Sequence, residues 1–409
     1  MKKFKIFSSY NGISREVIIL FFSKIIVSLG SFVIPFLSLI LTQQMDFSSS
    51  KAGLYITIVS LAYIPGIIIG GRLADYSNVK NALVLSQIIS AICFLCVPLT
   101  SIIWIKLALI ISSFVMLGIS YPCVDTIVCR IVNRNDRKKT FSLLYLGCNI
   151  GYAIGPLLGG FLISVNSNLL FIGDGFTTII SAILVFKFID YNRFIKNKDA
   201  KQVVQSNTTR TLTILWQRKV LLLFGVICIL YNFTYAQYNF TLPLFLNHLF
   251  NFSEGAKIYG ILMSINSVSV IVFTPMITKL KSNNSIVYAG VFYALGFGLY
   301  YFCNNITELA VCTFLWTWGE ILFSTNFAVF VTKNSPDTHI GRISSFMLVM
   351  SRIGFNIAPL ISGIIIKSML INNIWLITFF IMVVASIFMY GVCLYSKINT
   401  NLNVLEEKK

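Results

Sequence analysis

The sequence predicts an all-α membrane protein with twelve transmembrane helices, arranged as two six-helix repeats that share one orientation. Three observations predict this class. Hydrophobic residues fill 56% of the 409 positions, charged residues only 11%, and the mean hydropathy is +0.82. Soluble domains carry about 25% charged residues. The apolar positions gather into twelve runs, each long enough to cross a bilayer as a helix of about 20 residues. A glycine-rich stretch in the fifth run returns in the eleventh.

In chain order, a basic N-tail (1–16) precedes a first bundle (17–189) with spans near 17–41, 52–71, 82–99, 102–128, 140–164 and 168–189. A polar, basic linker (190–218) follows. The second bundle (219–396) has spans near 219–247, 256–279, 285–303, 307–332, 341–367 and 372–396, and a C-tail (397–409) closes the chain. No β-barrel alternation is visible, and backbone groups in hydrocarbon must bond internally, which leaves helices.

The net charge of +18 arises from 32 Lys and Arg against 14 Asp and Glu. With both termini cytoplasmic, 26 of the 32 basic residues fall on the inner side, and only Lys51, Lys106, Lys257 and Lys367 fall outside. That split follows the positive-inside rule. The positive charge therefore orients the chain in a cell membrane and meets anionic lipid secondarily. Nucleic acid is set aside, because no basic soluble domain is present to bind it. Nine cysteines are scattered, nearly all in spans, and are read as small apolar fillers. No metal motif, cofactor motif or nucleophile–base set is present, so neither an enzyme nor a metal site is expected.

The two halves repeat. Gly151 and Gly354, Pro156 and Pro359, and Gly160 and Gly363 each lie 203 residues apart. Phe47-Ser48…Ala52…Tyr55 returns as Phe252-Ser253…Ala256…Tyr259. Parallel repeats of this kind are expected to place a substrate site between them near the midplane and to permit alternating access.

Ionisable residues inside a bilayer cost roughly 2.5–3.5 kcal/mol each on insertion scales and are functional candidates. Glu320 and Arg352 lie near mid-depth on consecutive antiparallel spans, where pairing offsets desolvation. Two roles are open for Glu320: carrier of a coupling proton with Arg352 as partner, or half of a permanent ion pair. Asp125, close to Arg130 in sequence, is expected in a gate or loop salt bridge. Lys24 is expected to snorkel to the inner surface, and Asp174 to sit at the outer interface. Tyr231, Tyr235 and Tyr238 make a stripe on span 7, and Trp316 stands one turn before Glu320. With Asn356, Asn149 and Tyr152 they suggest an aromatic, moderately polar cavity for an amphipathic small molecule.

The loop after span 2 reads Gly71-Arg72-Leu73-Ala74-Asp75-Tyr76-Ser77-Asn78-Val79-Lys80, and span 5 carries Gly151-x-x-x-Gly155-Pro156-x-x-Gly159-Gly160. With twelve spans and a 6+6 repeat, these resemble the major facilitator superfamily, in particular its twelve-span drug/proton antiporters. The loop keeps Gly71, Leu73, Ala74, Asp75 and Lys80 of the family pattern and departs from it at Tyr76, Asn78 and Val79. The resemblance implies a gating role for Gly71, Asp75 and Lys80, and marks the span 5 motif as typical of exporters. The glycines themselves and Pro156 are expected to serve helix packing. Phe114 stands where those antiporters carry an arginine, so any proton-linked charge must sit elsewhere. Gly319-Glu320 resembles an element of several proton-coupled members. The expectation is proton-coupled efflux of small organic or drug-like compounds by a monomer. The alternative is an uptake symporter or facilitator for a small nutrient such as a peptide-like solute.

Overall fold

A computed structural model describes residues 14–75, 79–133, 136–189, 218–277, 284–335 and 340–406. Most of the expected linker (190–217) and N-tail (1–13) lie outside the described residues, as do Tyr76, Ser77 and Asn78. The described residues form α-helices and short 3-10 turns. The helices are α1 (Arg15–Leu29), α2 (Val33–Gln43), α3 (Ser49–Asp75), α4 (Val79–Cys96), α5 (Ile103–Ile131), α6 (Arg137–Val165) and α7 (Asn168–Phe188). They continue as α8 (Lys219–Tyr235), α9 (Thr241–Leu249), α10 (Phe252–Ile277), α11 (Ser285–Gly298), α12 (Ile306–Asn334), α13 (Ile340–Ser368) and α14 (Asn373–Glu406). Together they supply twelve helical stretches long and apolar enough to cross a membrane.

The chain divides into two compact units. Among the described residues, one comprises those of 14–37, 58–189 and 259–267; the other comprises those of 38–57, 218–258 and 268–406. Within the first, α1 packs on α6 and α7, and α4 packs on α5 and α7. Within the second, α8 packs on α13 and α14, and α11 packs on α12 and α14. The pattern is the same, helix for helix. One contact shows the sequence repeat becoming a structural one. A Cβ on Gly151 would press on the Ile25 carbonyl, and a Cβ on its counterpart Gly354 would collide with the Ile229 carbonyl. Only glycine lets these backbones approach so closely.

Spans 1 and 7, in which Pro35 and Pro243 lead one to expect a bend, are broken outright. Span 1 breaks between α1 and α2 at Gly30–Phe32, and span 7 breaks between α8 and α9 at a 3-10 turn, Ala236–Tyr238. Pro35 and Pro243 each sit third in the helix that follows the break. A proline there offers no N–H to the preceding turn and its ring crowds the carbonyl four residues back, so the helix cannot run through.

Each break leaves backbone groups to be satisfied inside the bilayer. In span 1 the Val33 N–H donates to Asp174 Oδ2 at 3.2 Å. In span 7, Gln237 is fully buried. Its Oε1 accepts from Thr241 Oγ1 at 2.5 Å and Ser362 Oγ at 2.9 Å, and its Nε2 donates to the Phe233 carbonyl at 3.0 Å. Asp174 is thus not interfacial as expected. It is buried, because it caps the new N-terminus that the break creates.

Candidate functional site

The second unit gathers aromatic rings around one carboxylate. α8 ends at Tyr235 just as span 7 breaks, so Tyr235 and Tyr238 both turn toward α12. The Tyr235 hydroxyl donates to Glu320 Oε1 at 2.9 Å. The Tyr235 ring lies 4.8 Å from that of Tyr238, 6.0 Å from Tyr293 and 6.1 Å from Trp316. Tyr238 stacks on Trp316 at 5.9 Å. Gly319 explains how Tyr293 enters this group: a Cβ there would press on the Tyr293 ring and the Ala289 carbonyl. The Gly-Glu pair therefore combines a packing notch for α11 with a carboxylate one residue on.

Trp316 is fully buried, and its Nε1 donates to the Tyr300 hydroxyl at 3.0 Å. Tyr300 in turn meets Thr313 Oγ1 at 2.7 Å. Hydrogen bonds thus fix the aromatic wall from behind, whereas Glu320 itself is only half-buried. Arg352, one turn before the buried Asn356 on α13, is exposed. The Tyr238 hydroxyl lies within the electrostatic reach of both Glu320 and Arg352. This cluster therefore brings Tyr235, Tyr238, Trp316, Glu320 and the charge of Arg352 together. Tyr231 reaches the cluster only at its edge, where its ring meets that of Tyr293 at 6.0 Å. It is fully buried among helices, and its hydroxyl donates to the Ile286 carbonyl at 2.9 Å.

The first unit holds a different set. Lys24 does not snorkel to the inner surface. Its Nζ lies 5.1 Å from the centre of the Tyr121 ring, a cation–π contact. It also acts electrostatically on Asp125, one turn beyond Tyr121 on α5. A basic charge thus reaches Asp125 from α1, across the helix pair. Tyr63 of α3 meets Tyr121 edge-on at 6.0 Å, and Tyr121 is 51% exposed, so this group is open on one side. A lysine inside a span faces its own counter-ion and an aromatic ring more cheaply than lipid. Spacing along one helix could not reveal that, because both partners lie on another.

Asn149 donates from Nδ2 to the Tyr145 carbonyl of its own helix at 2.9 Å, and Tyr152 is 40% exposed. The face of α6 bearing Gly151, Gly155 and Gly159 lies against α1 and the start of α2. A Cβ on Gly155 would meet the Leu29 carbonyl, and one on Gly159 the Phe36 ring. Pro156 and Gly160 are buried on the same helix. Lys80 Nζ donates to the Ile189 carbonyl at 2.6 Å, fastening the start of α4 to the end of α7. Gly71 has open space around it. The Asp75 backbone ends α3, and its side chain lies outside the described residues.

Known proteins place this arrangement. The family model described as Major Facilitator Superfamily matches residues 20–359. The chain is 23% identical over 380 residues to YqjV of Bacillus subtilis (strain 168), an uncharacterised transporter of that type, covering 90% of this chain and 88% of that protein. It is 23% identical over 361 residues to a Na(+), Li(+), K(+)/H(+) antiporter of Planococcus maritimus, covering 80% and 84%. Among solved structures, the nucleoside transporter NupG superposes with a TM-score of 0.75 at 17% identity, covering 93% of this chain and 99% of that one. Twelve apolar helices, a repeat that fixes the same contacts twice and a family match across most of the chain agree: this is a multi-pass membrane transporter that belongs to the Major Facilitator Superfamily.

Proposed function

We propose that the chain exports small, amphipathic organic compounds across the cell membrane in exchange for protons, by alternating access and as a monomer. Both termini lie in the cytoplasm, as the basic residues favour. Glu320 takes up and releases the coupling proton. The observation that carries this reading is the Tyr235–Glu320 hydrogen bond within the cluster of Tyr238, Tyr293 and Trp316. A carboxylate inside a span is retained at a cost, and here a polarisable aromatic wall and one phenol donor surround it. The rings offer a surface to an apolar or cationic organic molecule while the carboxylate alternates between proton and substrate. Arg352 tunes that exchange through its charge, and Lys24 and Asp125 supply a second charged group in the first unit. The exporter-type glycine motif of span 5 and the cation/proton antiporter among the relatives both favour antiport.

Reconstitution tests this reading. In proteoliposomes with an imposed pH gradient and an internal pH dye, adding an amphipathic substrate should dissipate the gradient. A panel of such compounds that moves no protons and is not itself moved contradicts it. The second reading, uptake of a small nutrient, is favoured by one specific observation, the fold shared with a nucleoside transporter. Substrate accumulation in right-side-out vesicles energised by an inward proton gradient would select it.

A further inference from the structure

Cys303 and Cys312 meet where spans 9 and 10 turn over. Cys303 follows the 3-10 turn Leu299–Phe302, and Cys312 stands in the second turn of α12. Both are buried, and their Sγ atoms lie 3.4 Å apart.

The turn that joins them is closely specified. Asn305 Oδ1 accepts from the Glu308 N–H at 3.0 Å, and Glu308 Oε2 accepts from the Asn304 N–H at 2.8 Å, a reciprocal cap at the start of α12. Below it, Thr313 and Trp316 are bonded to Tyr300 on the opposite arm. Capped above and tied below, the two arms hold the thiols together.

The chemistry suits exchange. The two sulfurs share a hydrogen bond, so either one stands ready to steady the other as a thiolate. The thiolate is the attacking species in disulfide formation. With the termini cytoplasmic, this turn faces the outer, oxidising side of the membrane.

We propose that Cys303 and Cys312 form a redox-sensitive disulfide that staples the outer turn between spans 9 and 10. Cys303 attacks one sulfur of an external disulfide and releases the other as a thiol. Cys312 then attacks Cys303 and releases the second. The two protein thiols give up two protons and two electrons, and the external disulfide becomes two thiols. The Sγ atoms need to close from 3.4 Å to about 2.05 Å, the ordinary S–S bond length. Cys312, Trp316 and Glu320 recur at four-residue spacing on α12, so the staple bears on the helix face that carries the carboxylate.

Thiol counting on the purified full chain tests this independently of any transport activity. The protein is treated with the diazene oxidant diamide, whose N=N bond takes the two protons and two electrons. It is then denatured and tagged with a polyethylene-glycol maleimide. The chain has nine cysteines, so reduced protein should carry nine tags and oxidised protein seven, with a linked Cys303–Cys312 peptide in the mass spectrum. Cys303→Ser should carry eight tags with or without oxidant. Nine tags after oxidation, or a loss of two tags that persists in Cys303→Ser, overturns the proposal.

Discussion

The Tyr235 hydroxyl donates to Glu320 Oε1 at 2.9 Å, joining the last residue of α8 to the middle of α12. A hydrogen bond to a charged group contributes about 1.5–3 kcal/mol. In Tyr235→Phe the ring packing survives, and the hydroxyl's bonds to Glu320 and Tyr238 are lost. Coupled transport should fall about tenfold or more, with the melting temperature lowered by no more than a few degrees. Flux assays beside a thermal melt in detergent check both halves of that expectation.

Asp174 makes a structural prediction of the opposite kind. Asp174→Leu leaves the Val33 N–H without its acceptor inside the bilayer, at a cost of about 1–3 kcal/mol. Asp174→Asn keeps an acceptor oxygen but loses the charge. Melting temperatures should therefore rank wild type above Asp174→Asn above Asp174→Leu. Equal melting of wild type and Asp174→Leu would remove Asp174 from the cap.

Glycine contacts predict which small changes are tolerated. Gly354→Ala drives a Cβ into the Ile229 carbonyl, whereas Gly71→Ala meets open space. Overpacking costs about 1–3 kcal/mol. Gly354→Ala should lower the melting temperature by several degrees, whereas Gly71→Ala should hold it or raise it slightly, since alanine favours a helix over glycine. If Gly71 takes part in gating, Gly71→Ala will slow transport at wild-type stability.

Lys24 and Asp125 predict a rescue. Lys24→Met leaves Asp125 without the cation that acts on it from α1, and transport should drop. Combining it with Asp125→Asn removes both charges and should restore part of the rate. Additive losses in the double variant would show that the two residues act separately.

How much of this was legible in the sequence depends on where the determining contact lies. Span number, the repeat and the glycine face of α6 follow from periodicity within single helices, and they are visible as spacing. The breaks in spans 1 and 7 were marked only by Pro35 and Pro243, since proline in an apolar run is as compatible with a bend as with an interruption. Asp174 was misplaced because depth along a helix says nothing about which neighbour needs an acceptor. Lys24 was misplaced for a related reason: its ring and its counter-ion sit on α5. Tyr231 and Tyr235 share one spacing, yet the first is absorbed by a backbone carbonyl of α11 and the second by Glu320. Cys303 and Cys312 belong to adjacent spans, and only the geometry of the turn brings them together.

The central claim is that Glu320 carries the coupling proton, and one measurement addresses it most directly. Wild type and Glu320→Gln are reconstituted in proteoliposomes, and substrate flux is recorded with and without a pH gradient. Glu320→Gln should lose at least about tenfold of its pH-driven flux, a change of roughly 1.4 kcal/mol or more. It should still exchange substrate across the membrane when no gradient is applied. Unchanged pH-driven flux in Glu320→Gln would contradict the account.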